Sequence, residues 1–128
     1  MSEQNIETTR RGYEAFAAGD LQEALSVFDN SVEWTINGDS MIGGTYRGKA
    51  ELTGLMLRLA EKSTHVEPKR FLSDGDVVMV LAEVSAAGET AWEADVYTFA
   101  NGKIVQAQVF GDTAVQERIF GSKGVTAG

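Results

Sequence analysis

Two carboxylates interrupt apolar runs near the end of the chain. Asp95 stands among Ala94, Val96, Tyr97 and Phe99, and Asp112 directly follows Val109-Phe110-Gly111. A carboxylate on a buried strand face is costly unless it is paired, protonated or used. Both residues suit general acid–base chemistry. Asp95, held neutral by burial, would donate a hydrogen bond to a developing oxyanion; Asp112 would take or return a proton at a carbon next to a carbonyl. Each also has a structural alternative. Asp95 would pair with an arginine or face a subunit interface, and Asp112 would cap a helix over 113–120. Glu93 shares a strand face with Asp95, where two carboxylates push each other's protonation apart. Its ordinary role would be that of a solvated rim residue.

The remaining candidates are wall residues. Tyr13 lies on an apolar helix face, with its hydroxyl either in a pocket or at a wet tip. Phe16 and Met56 sit at helical spacing, and Trp34 and Ile36 alternate along a strand. Tyr97 shares the face of Asp95. On the last strand two parities are open: Val105, Ala107 and Val109 on one face, or Gln106, Gln108, Phe110 and Asp112 on the other. If the second set faces inward, Phe110 and the glutamines contact substrate. The substrate-binding set is therefore Tyr13, Phe16, Trp34, Ile36, Met56, Tyr97 and Phe110. Trp92 reads as a wall or interface aromatic. Asp39, in a glycine-rich loop, is a third acid–base candidate.

Other residues read as structural. His65 opens a strand beside a polar turn, and Arg47 suits an ion pair or a pocket rim. GGTYRG (43–48) lacks the spacing of a phosphate-binding loop. Met41, Met56 and Met79 read as gap fillers. A metal site would need carboxylates alone, and none converge in the sequence; neither metal nor cofactor is called for.

The bulk numbers narrow the classes. The chain has 128 residues, 43% hydrophobic and 23% charged, enough for one domain over 1–128. A formal net charge of -8 repels phosphate backbones and anionic lipid, so neither nucleic acid nor membrane is an expected partner. There is no cysteine and one histidine, which excludes disulfides and thiolate metal sites. No apolar run approaches the roughly 20 residues of a membrane span. The first residues carry no signal-type apolar segment, and a cytoplasmic location is expected.

The elements that must position these residues follow from periodicity. Helices are predicted over about 3–28, broken at Gly19-Asp20, and over 49–62. Strands are predicted over about 32–36, 65–73, 77–87, 90–100 and 103–111. Asp20 with Glu23 makes an N-terminal cap. Pro68 marks an edge strand or a bulge. Asn101-Gly102 is the strongest hairpin signal. The run 77–87 is apolar enough to be buried on both faces. Residues 37–48 read as a loop, and 113–120 as a short helix or an irregular tail. Helices, then a strand, a helix and four hairpin-linked strands make an α+β domain. A curved antiparallel sheet packed against the N-terminal helices would leave a conical small-molecule cavity.

YEAFAAGDLQEALSVFDNSVEWTI, GGTYRGKAEL and VYTFANGKIVQAQVFGD resemble, in that order, the nuclear transport factor 2-like (cystatin-like) superfamily, in its SnoaL-like and ketosteroid isomerase-like branches. The resemblance spans roughly 5–121 and implies a cone-shaped fold. It implies an oxyanion-binding acid at Asp95, as in the isomerases. The isomerase base position falls on Ile36, with Asp39 nearby, and the oxyanion tyrosine position falls on Gly12, one residue before Tyr13. The SnoaL-type cyclase pattern places its acid–base aspartate on Asp112, in VFGDTAVQERIFG. A homodimer formed through the outer sheet face is implied as well. The expected function is a cofactor-independent isomerase or polyketide cyclase acting by proton transfer on a small apolar carbonyl compound. The alternatives are a hydrolase or dehydratase with a carboxylate-activated water, or a non-catalytic ligand-binding domain.

Overall fold

The computed structural model describes residues 2–124. Helix α1 (Ser2–Ala17) ends at Gly19, whose φ of 77° suits a residue without Cβ. Asp20 then caps α2 (Leu21–Ser26), its Oδ1 accepting from Glu23 N at 3.1 Å. The chain continues through β1 (Phe28–Ile36), β2 (Gly44–Arg47), α3 (Gly48–Glu61), β3 (His65–Asp74), β4 (Val77–Ala86), β5 (Glu89–Ala100), β6 (Lys103–Phe110) and α4 (Thr113–Phe120). No described helix is long and apolar enough to cross a membrane.

The six strands form one open sheet in the order β2-β1-β6-β5-β4-β3. The fold is the expected α+β arrangement, with one refinement. The sheet is mixed, because β1 runs parallel to β6 while every other pair is antiparallel. Hairpins can make only antiparallel neighbours, whereas β1 reaches β6 from the far end of the sequence. Register shifts lie at 28–33, 68–70 and 98–99. Such bulges bend a strand and increase its twist. Pro68 is at once on an edge strand and at a bulge, and Asn101-Gly102 forms its turn with both φ values positive, 51° and 77°.

Three boundaries differ from expectation. The second helix stops at Ser26 and the strand begins at Phe28, because Phe28 pairs with Ile104 and Ile104 N donates to Val27 O at 3.0 Å. A tertiary pairing here overrides helical periodicity. Asp29-Asn30-Ser31 is an irregularity inside β1, with Asp29 Oδ2 accepting from Ser31 N at 2.9 Å. Residues 44–47, read as loop, form edge strand β2, with Thr35 and Thr45 hydroxyls 3.0 Å apart.

The inner sheet face and the helices make the core. Val32 and Ile36 on β1, Val78, Val80 and Ala82 on β4, and Ala107 and Val109 on β6 pack with Leu52, Leu55 and Met56 of α3. The outer face is more open than the apolar run 77–87 led us to expect. Met79 and Leu81 point outward and are exposed, as are Trp92 and Phe110. Met41 is exposed too, so of the three methionines read as gap fillers only Met56 fills the core.

Candidate active site

Strand β5 alternates Glu93, Asp95 and Tyr97 onto the inner face. Asp95 sits opposite Val80 on one side and Val109 on the other. Only 2% of it is exposed. These neighbours offer no donor, so the carboxyl must find partners elsewhere. It finds Tyr13, which reaches down from α1 and donates its hydroxyl hydrogen to Asp95 Oδ2. The Tyr13 and Tyr97 hydroxyl oxygens lie 2.8 Å apart. Tyr13 has one hydrogen, and Asp95 receives it; Tyr97 is therefore the donor to Tyr13.

Burial raises the pKa of Asp95, and the polar groups nearest it, Glu93, Tyr13 and Tyr97, oppose that rise. Glu93 is half-buried beside it, and burial followed by repulsion from Asp95 pushes its pKa well above the carboxylate range. Two coupled carboxyls in such a setting resist being ionised together, so their titrations belong to the pair. Burial also raises the Tyr13 and Tyr97 hydroxyls well above their usual values, so both stay neutral donors.

This network lies in the wall of a cavity of about 120 Å³. The cavity is otherwise apolar, lined by Phe16, Trp34, Ile36, Leu55, Met56 and Ile104 among others. An engineered cavity of about 150 Å³ takes a benzene ring, whereas drug-sized ligands need roughly 300 Å³ or more. A volume of this order is that of a single ring. Helix α4 closes one side with Val115, Gln116, Ile119 and Phe120. Asn37 joins the ends of β1 and β6, donating from Nδ2 to Gly111 O at 3.2 Å and accepting from Gly111 N at 3.0 Å.

The predicted residues divide clearly. Tyr13, Phe16, Trp34, Ile36, Met56, Tyr97 and Asp95 all line the cavity. Phe110 does not: Val109 pairs with Asp95, so Val109 faces inward, while Phe110, Gln106 and Gln108 face outward and are exposed. Asp112 stands exposed at the cavity edge, and its Oδ1 accepts from Val115 N at 3.1 Å, which makes it the N-cap of α4. Asp39 is exposed on its loop and is not a lining residue. Ile36 is buried and inward, so the isomerase base position holds no acid. Arg47 ion-pairs with Glu33 at 3.4 Å on the surface, and His65 is exposed. Among the described residues no group of three or more histidine, aspartate or glutamate side chains gathers at a point.

Glu93 is the residue whose role the chain's pattern understated. Its spacing from Asp95 was visible, but its partial burial at the cavity wall is a tertiary property. Trp34 adds another feature, for its indole Nε1 is buried without a hydrogen-bond partner.

Solved structures share this architecture. Bal32a, from a soil-derived mobile gene cassette, superposes with a TM-score of 0.87 at 25% identity, covering 93% of this chain and 98% of its own. An NTF2-like protein of unknown function from Burkholderia pseudomallei gives 0.82 at 29% identity, covering 94% and 98%. TerC, co-crystallised with polyporic acid, gives 0.80 at 25% identity, covering 93% and 99%. Among proteins of curated function none is significantly similar in sequence. Residues 9–107 match the family described as SnoaL-like domain. With most of its length matched and the NTF2-like architecture around one walled cavity, the chain belongs to the SnoaL-like domain family.

Proposed function

We propose that the protein is a cofactor-independent enzyme that moves a proton on a small, apolar, single-ring carbonyl compound, as in isomerisation or aldol-type cyclisation. The carrying observation is Asp95, buried under the Tyr13 hydroxyl with half-buried Glu93 beside it on the strand, in the wall of an apolar cavity. Asp95, as carboxylate, takes a proton from the carbon next to the carbonyl. The C–H electron pair moves into the carbon–carbon bond and the charge onto oxygen. Glu93, as acid, returns a proton to the enolate, at the original carbon, at a conjugated one or at oxygen. The pair ends with its proton on the other member, and transfer between the two carboxyls resets it. Tyr13, backed by Tyr97, steadies the charge on Asp95. That TerC was co-crystallised with polyporic acid supports an organic ligand for this fold.

The test is deuterium incorporation next to the carbonyl in a panel of one-ring ketones in heavy water, followed by NMR. General acid–base catalysis contributes about 10²–10⁴-fold, so Asp95→Asn should slow exchange by that order. Equal exchange in Asp95→Asn and wild type would remove the site assignment. The second reading, a ligand-binding domain without catalysis, is favoured by Ile36 at the isomerase base position; it predicts binding with no exchange in any variant.

A further inference from the structure

Among the described residues, three buried side-chain polar atoms lack a hydrogen-bond partner: Trp34 Nε1, Thr64 Oγ1 and Asp95 Oδ1. All three belong to residues lining the one cavity. Native interiors leave few such atoms, and each needs an explanation. Asp95 still has the Tyr13 hydroxyl on its other carboxyl oxygen. The indole of Trp34 has no such neighbour. It is a donor only, and it packs edge-on between Phe28 and Tyr97, with ring centroids 5.7 and 5.9 Å away. Phenylalanine would fill that space without stranding a donor.

We infer that Trp34 is the specificity-determining residue of the cavity, its indole N–H binding the carbonyl oxygen of a one-ring substrate. Trp34 is a lining residue of the cavity, so an acceptor bound there is the nearest partner the indole could gain. The placement is chemically apt. Trp34 and Tyr97 share the inner face, each paired across β6 with Ala107. Tyr97 leads through Tyr13 to Asp95. An oxygen held at Trp34 therefore lays the ring against Tyr97, on the cavity wall that also carries Asp95. The donor also discriminates by chemistry. A ring without an acceptor leaves the N–H unpaired, whereas a ketone satisfies it.

This inference rests on the proposed reading of the cavity as a substrate site, but not on catalysis, so binding and deuterium exchange fail separately. The chain has two tryptophans, and the exposed Trp92 serves as an internal reference. In a ¹H–¹⁵N spectrum of the full chain, cyclohexanone should shift the Trp34 indole signal and leave that of Trp92 in place. Methylcyclohexane, of similar size, should bind more weakly and leave the Trp34 proton close to its free position. Trp34→Phe should weaken cyclohexanone binding about tenfold, the order of one hydrogen bond, with methylcyclohexane affected less than about twofold. The idea is overturned if the hydrocarbon binds as tightly as the ketone, if Trp34→Phe weakens both alike, or if neither ring binds. The wild-type indole shift stands as a measurement even if the variant folds poorly.

Discussion

Tyr13 on α1 and Asp95 on β5 are 82 positions apart in sequence, yet the tyrosine hydroxyl donates directly to the carboxylate. The contact ties the first helix to the centre of the sheet. It makes Tyr13 both a structural and a functional partner of the acid.

Tyr13→Phe leaves a buried carboxyl without its main donor and the Tyr97 hydroxyl without its acceptor. An unpaired buried polar group costs about 1–3 kcal/mol. Chemical denaturation should show a loss of that size, with ketone–deuterium exchange also reduced. A neutral effect on both would mean that another donor replaces Tyr13.

The carboxyl pair makes stability depend on pH in a defined direction. Burial raises Asp95 and Glu93, so the native state binds protons that the unfolded chain has already released. Between the ordinary carboxylate range and the raised native values, the unfolded state holds fewer protons, and stability falls as pH rises. Glu93→Gln keeps a donor beside Asp95 and removes one titration. Its denaturation midpoint should fall less than that of wild type as pH rises above the ordinary carboxylate values, about pH 4. A wild-type profile that is flat or rising there would argue against raised native values.

Asp112 separates capping from catalysis. Asp112→Ala removes the acceptor for Val115 N and should cost about 0.5–2 kcal/mol. Asp112→Asn keeps an oxygen acceptor and should retain both stability and exchange activity. A large loss of exchange in Asp112→Asn with unchanged stability would move the proton-transferring role to Asp112.

The outer sheet face predicts association. Leu81, Ala94 and Phe110 form one cross-strand row, and Leu72, Met79 and Val96 the next. Trp92 is 60% exposed beside them. An apolar patch of this kind marks an interface, and a homodimer is expected. Sedimentation should show a dimer for the wild type and a monomer for Leu81→Arg; a monomeric wild type would refute the expectation.

Local pattern determined much of this protein. Alternation along 90–100 put Asp95 and Tyr97 on one face, the Gly19-Asp20 break set α1 against α2, and Asn101-Gly102 closed the last hairpin, each through rules acting over a few residues. Side-chain parity on β6 was open in the sequence. The pairing of Asp95 with Val109 decided it, turning Phe110 outward. Pairing with β6 likewise pulled Val27 and Phe28 out of the helix, and pairing with β1 made 44–47 a strand. The site divided in the same way. An acid in an apolar strand is visible in a string of letters, because its cost is local. Its partners are not: Tyr13 meets Asp95, and Glu93 loses part of its solvent, only when helices and a sheet enclose one small volume. Desolvation and long-range hydrogen bonding are properties of that enclosure, so only the tertiary structure could decide which acid is desolvated beneath a tyrosine and which merely caps a helix.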